Sequence, residues 1–207
     1  VISENLMGIK RKMGIKQIAK KPILINDLKL IINVINEEKN ELRRYQDKAL
    51  ILIGFAGGFR RSELVSLEYD DIDFVNEGVK IVIKKSKTDQ TGVGMTKAIP
   101  YFENNNYCPV ISLKEWINLS KIEDGKIFDI SDKSVALKIK KYALLAGLEY
   151  KKYSGHSLRS GFATSTADIG ADERSIMAMT GHKTTQMVRR YIQEANLFKN
   201  NALNKIK

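Results

Sequence analysis

Cysteine is nearly missing from this sequence. Cys108 is the only one in 207 residues, so an internal disulfide and a multi-cysteine metal site are both excluded. Histidine is almost as scarce. His156 and His182 show no His-x-x-x-His spacing and have no carboxylate cluster beside them, so no metal ligand set is expected. No apolar run approaches the ~20 residues that a membrane-spanning helix needs. No stretch reads as a secretory leader, and a cytoplasmic location is the expectation. Internal repeats and low-complexity tracts are absent as well.

Positive charge is what the chain has in surplus. Thirty-five Lys and Arg against 24 Asp and Glu leave a net charge of +11, with a pI near 9.6. That excess favours a polyanionic partner, nucleic acid first and an anionic membrane face second. Hydrophobic residues make up 43% and charged residues 29%, the balance of a soluble globular chain with a core of its own.

Residues 1–21 carry the basic run KRKMGIKQIAKK, closed by Pro22, and read as an interdomain linker, the end of an upstream domain. Residues 22–207 read as one domain. INDLKLIINVINEEKN offers Asn26 as a cap and an apolar stripe at Leu28, Ile31, Ile32 and Ile35, which predicts a helix. ELRRYQDKALILIGFAGG predicts a second, stopped by Gly57 and Gly58, and RRSELVSL restarts helically from Arg60. The period then changes. A short strand is expected at Ile72–Val75, and VKIVIKK and TKAIPY flank the polar turn SKTDQTGVGM as a hairpin. Helical patterns return at 109–119, 132–146, 157–169, 172–180 and 184–192, with a tail helix near 195–206 inside a C-terminal segment, 193–207. The expected fold is mainly α with a small antiparallel β-sheet inserted early.

The residues suited to chemistry sit at element ends. Arg60 opens a helix straight after a double glycine, where its guanidinium fork adds to backbone N–H groups in gripping an anion, and Glu63 lies three residues on, close enough to orient it. His156 and Arg159, three apart, project from one helix face. Gly181 ends one helix in a left-handed turn, His182 occupies the corner, Thr184 caps the next helix, and Tyr191 follows about two turns down it.

Together, Arg60-Arg61-Ser62-Glu63-Leu64, the hairpin Lys87, His156-Ser157-Leu158-Arg159, Gly181-His182 and Tyr191 resemble the tyrosine recombinase (phage integrase) family. The resemblance covers about residues 22–192. It implies the catalytic-domain fold of these DNA breaking-rejoining enzymes and a site of Arg60, Lys87, His156, Arg159, His182 and Tyr191, supported by Glu63. Lys85 and Lys97 compete with Lys87 for the hairpin role. The resemblance also implies a site-specific DNA recombinase, or integrase, that cleaves and rejoins strands through a covalent 3′-phosphotyrosine, with no metal, ATP or other cofactor. A type IB topoisomerase or telomere resolvase is the near alternative, and a DNA-binding module without activity the distant one. Implied partners are a double-stranded recombination site and three further copies of the chain, a homotetramer on DNA linked by exchanged C-terminal tails. The implied upstream domain is a core-binding domain. Arg61, Arg189 and Arg190 flank the site and are expected to touch neighbouring phosphates, setting affinity and its salt dependence.

Overall fold

The computed structural model describes residues 20–84, 94–182, 184–196 and 206. Helix α1 (Ile25–Asn36) presents Leu28, Ile31, Ile32 and Ile35 to the core, the stripe read from the sequence. Its cap differs from the expectation. The helix begins before Asn26, with Leu24 at the N-cap and no side-chain cap. Tertiary contacts fix that start instead. The Ile23 N–H donates to the Ser157 carbonyl at 2.9 Å, the Lys21 N–H donates to Lys152, and the Ile23 side chain is fully buried.

Helix α2 (Glu41–Ala56) is capped by Asn40, whose Oδ1 accepts the Arg43 N–H at 2.9 Å. From Ala49 to Ala56 every residue is buried, so this helix is the axis of the domain. It packs on α1, on α4 (Pro109–Ser120) and on α6 (Ser157–Asp168). Gly57 closes it and Gly58, at φ 55°, turns the chain into the five-residue α3 (Arg61–Val65). A Cβ on Gly58 would meet Phe162 and Thr180 at 3.0 and 3.1 Å, so this corner lies directly on α6 and on the end of α7 (Glu173–Thr180).

Strands β1 (Ile72–Val75), β2 (Gly78–Ile83) and β3 (Met95–Pro100) form an antiparallel sheet in that order. Val79, Ile81 and Ile83 face inward, paired with Ile99, Lys97 and Met95. Strand parity therefore carries Lys97 to the buried face. The turn of this hairpin, with Lys85 and Lys87, lies outside the described residues. Helix α5 (Asp132–Leu145) starts at the Ser131 cap and covers α1 and α3.

The core has two parts. The larger one runs from Ile23 to Leu158 around α2. The smaller is Ala163, Ala167, Ile176 and Val188, with Tyr191 and Ile192 packed at its edge; it joins α6 and α7 to α8 (Thr185–Asn196). Asp172 caps α7 by accepting the N–H groups of Arg174 and Ser175. Of the expected tail helix, residues 195 and 196 continue α8, and most of the remainder lies outside the described residues. No described helix is long and apolar enough to cross a membrane.

Helix α6 meets the main core through Gly161, where a Cβ would sit 2.0 Å from the Ile23 carbonyl oxygen. Replacing a helical glycine by alanine ordinarily gains up to ~1 kcal/mol, but this contact is with backbone, which cannot step aside cheaply. Gly161→Ala is expected to destabilise the domain by about 1–3 kcal/mol, the scale of overpacking, as a lower thermal midpoint.

Candidate active site

Five elements end around one point. The first is the Gly57–Arg60 corner. Arg60 sits at the N-cap of α3 and its backbone N–H donates to Glu63 Oε2 at 2.9 Å, while its Nη1 donates to Oε1 at 2.5 Å. Glu63 is thus both helix cap and guanidinium clamp. This corrects part of the sequence expectation: the backbone donor at the glycine-rich turn is taken by Glu63, so anion binding falls to the Arg60 side chain. Glu63 is 2% exposed. Burial alone would raise its pKa, but the bonds from the Arg60 N–H and guanidinium and the Lys97 charge prevail, and it stays below its ordinary value.

Arg159, one turn into α6, is 1% exposed. Its Nη1 donates to the Gly58 carbonyl at 2.9 Å, while its buried Nη2 has no hydrogen-bond partner among the described residues. Burial first, then repulsion from Arg60, lowers its pKa to about 10, well above any working pH. A buried guanidinium donor left without an acceptor costs stability, and an incoming anion relieves that cost.

His156 is the N-cap of the same helix, with the Arg61 side chain laid against the neighbouring Gly155. Desolvation, followed by the charges of Arg159, Arg60 and Arg61, lowers its pKa. His182 occupies the corner after Gly181, which adopts φ 62° as the left-handed cap of α7. The ring is buried, and desolvation with the charges of Arg159, Arg60, His156 and Lys97 lowers its pKa to about 4. It is neutral at pH 7, and its tautomer follows from its neighbour. The Thr180 hydroxyl lies 2.6 Å from the Ile176 carbonyl and 2.7 Å from His182 Nδ1. With its one proton on that carbonyl it accepts from Nδ1, which then carries the ring proton and leaves Nε2 a lone pair. The Tyr191 ring is tilted against it with centroids 5.9 Å apart.

A further residue belongs here that the sequence reading named only as a rival for the hairpin lysine. Lys97 is fully buried, and its Nζ donates to the Gly57 carbonyl at 2.6 Å and to the Met179 carbonyl, 4.7 Å from the Phe59 ring centre. Desolvation lowers its pKa to about 7 against the pull of Glu63, with Arg159 and Arg60 adding to the fall. The alternation of Met95, Lys97 and Ile99 was the signal that placed it inward. Lys87 lies outside the described residues. The remaining expected contacts are peripheral: Arg61 is 3.9 Å from Asp132, and Arg189 pairs with Glu173 at 3.1 Å on the surface. Arg190 is exposed on α8. No group of three or more His, Cys, Asp or Glu side chains converges as a metal site among the described residues.

The sequence profile of the phage integrase family matches residues 23–197. The integrase/recombinase xerD homolog of Selenomonas ruminantium is 46% identical over 97% of this chain and 62% of its own length. The tyrosine recombinase XerD of Haemophilus ducreyi is 30% identical over 69% of this chain and 49% of its own. The chain thus spans between about half and three fifths of these relatives. Among solved structures, XerH recombinase bound to a palindromic difH substrate in a post-cleavage complex superposes with a TM-score of 0.69, covering 88% of this chain and 54% of that one at 20% identity. The XerA recombinase gives 0.67, over 90% of this chain and 66% of that one, also at 20% identity. Both likenesses are in fold.

Two outcomes follow from the geometry. Nitrogen-15 imidazole spectra at pH 7 will show His182 protonated at Nδ1, and Thr180→Val will release it toward the Nε2–H form; an Nε2–H tautomer in the parent protein would disprove the Thr180 relay. For Lys97 the unfolded chain holds its proton up to ~10.4, whereas the folded chain releases it near 7. Between those values the unfolded state binds more protons, so this group makes stability rise with pH across that window. Thermal midpoints of Lys97→Met will show a flatter slope from pH 7 to 10 than those of the parent.

Proposed function

The chain belongs to the phage integrase family, and from that premise we propose that it is the catalytic domain of a site-specific DNA recombinase working through a 3′-phosphotyrosine. The observation that supports this reading is the buried Arg159 Nη2, without a hydrogen-bond partner among the described residues, in a site that gathers Arg60, Lys97, His156 and His182 around the carboxylate of Glu63. Such an excess of positive charge suits an anion. A phosphodiester is one, and Arg60 and Arg159 bind its non-bridging oxygens through charge-assisted bonds that strengthen as the pentavalent transition state gains charge.

Tyr191 Oη then attacks phosphorus, the P–O5′ bond breaks, and the 3′ phosphate remains on the tyrosine. The phenol, ordinarily with a pKa near ~10, gives up its proton as it attacks. His156 is the base the family pattern suggests. The Nδ1–H tautomer makes His182 a second acceptor, beside the Tyr191 ring. On taking that proton, its Nε2 turns into a donor for the phosphate oxygen, so one transfer serves both steps. Lys87, from the hairpin, protonates the departing 5′ oxygen. A second strand's 5′ hydroxyl reverses the chemistry without ATP. Arg61, Arg189 and Arg190 steady flanking phosphates, Arg189 after leaving Glu173.

On DNA the protein works as a homotetramer in which tails are exchanged. An apolar groove of about 510 Å³ lined by Phe55, Ile99, Phe102, Phe162, Ile169 and Met179 suits an apolar tail stripe. Ala195, Phe198, Ala202 and Ile206 recur at helical spacing as such a stripe.

Trapping on nicked duplexes tests the chemistry. The parent protein will form a protein–DNA adduct that survives boiling in detergent, and will do so in excess chelator. Tyr191→Phe will bind DNA equally and form none. An adduct formed by the Phe variant would remove Tyr191 as nucleophile, and loss of activity in chelator with rescue by one divalent ion would overturn the reliance on side-chain cations.

A further inference from the structure

Lys97 is out of place by ordinary rules. A fully buried lysine on a sheet face, next to two arginines, raises the energy of the fold. A position held at such a cost is a functional candidate with a physical reason. Its contacts say what the function is. The Gly57 carbonyl it binds belongs to the corner that delivers Arg60 and accepts Arg159 through Gly58. The Met179 carbonyl belongs to the last turn of α7, one residue before Thr180 and three before His182. Met95, two residues before Lys97 in the strand, lies 3.4 Å from where a Cβ of Gly181 would be. One side-chain nitrogen therefore ties β3 to the arginine corner and to the histidine corner.

We infer that Lys97 is a positioning residue: its side-chain nitrogen, bonded to two carbonyls, locks the Gly57–Arg60 corner, the Met179–His182 corner and the hairpin strand into the arrangement that strand cleavage needs, without itself touching the phosphate. The inference rests on the recombinase reading above.

The groups facing Lys97 decide how pH acts on this lock. Glu63 favours the ammonium; Arg60 and Arg159 oppose it, and His182 senses its charge. Closed, the lysine releases its proton near 7; opened to water it holds the proton up to ~10.4, so between those values closure is favoured more as pH rises. The neutral amine keeps two donors for the two carbonyls.

Lys97→Met keeps the length of the side chain and removes the charge. Its thermal midpoint at pH 7 measures the balance between a buried cation removed and two carbonyls left without their donor. Its rate of covalent adduct formation on a pool of nicked duplexes with randomised arms is expected to fall at least tenfold, with unchanged affinity for the same pool. Lys97→Arg restores a cation and recovers part of the rate. The ratio of parent to Lys97→Arg rates then rises from pH 7 to 9, because closure strengthens with pH only in the parent and arginine does not titrate. An adduct rate for Lys97→Met within twofold of the parent overturns the inference, as does a loss fully accounted for by weaker DNA binding. Absence of any adduct with the parent overturns the recombinase reading instead, and this inference with it. Should Lys97→Met not fold, hydrogen exchange of the parent protein decides. The amides of Gly58, Phe59 and Gly181, all bonded to backbone carbonyls, will gain protection between pH 7 and 9 after correction for intrinsic rates, because opening returns Lys97 to water, where it holds its proton. Protection that is unchanged there excludes the lock.

Discussion

The Glu63 carboxylate is the constraint on which this site depends. Arg60, Arg159 and Lys97 come from three different elements and repel one another at close range. In the interior such repulsion is weakly screened, and without a negative centre the corners carrying these cations would spread. Glu63 provides that centre through two bonds to Arg60 and a Coulombic hold on Lys97 and Arg159. The same bonds fix α3, whose five residues are far too few to be helical alone. The compensation is incomplete. Among the described residues, one carboxylate against three cations leaves the cluster positive, and one Arg159 donor has no acceptor.

Geometry of the polar groups explains how the histidines differ. His156 stands at a helix N-terminus within reach of solvent, whereas His182 is enclosed and shares the Thr180 hydroxyl with the Ile176 carbonyl, a partner that selects its tautomer. Such control needs no charged partner. A hydroxyl bound to a carbonyl one turn back is a fixed acceptor, and it sets the far nitrogen of the ring as a lone pair.

Much of this was legible in the chain. The stripe of α1, the double-glycine stop of α2, the three strands and the Gly181 turn follow from period and turn chemistry, and the Arg60–Glu63 clamp from a spacing of three. Local rules failed where distant residues decided. Asn26 is a good cap by type, yet the anchoring of Ile23 to Ser157, far along the sequence, starts the helix earlier. The role of Lys97 was half visible: alternation put it inward, but nothing in TKAIPY says that two carbonyls from separate turns await it. The Arg189–Glu173 pair joins two helices whose relative placement no local pattern encodes. The Thr180 relay depends on which of two acceptors a hydroxyl chooses, a matter of three-dimensional angles.

The small second core has a consequence for timing. Helix α8, which carries Tyr191, contributes one fully buried apolar side chain, Val188, to a cluster of four, while the arginines stand on the large core around α2. Local opening energies scale with the apolar contacts that must be broken, so α8 belongs to the low-stability end of the domain. On the recombinase reading proposed above, the electrophile's cradle and the nucleophile are thus built on parts with different lifetimes. A lone protomer would then spend part of its time with its cradle formed and its tyrosine disengaged, holding a phosphate it does not cut. Whatever adds a few apolar contacts to α8 would lengthen the dwell of the tyrosine in place, and reactivity would become a property of assembly and not of the isolated fold.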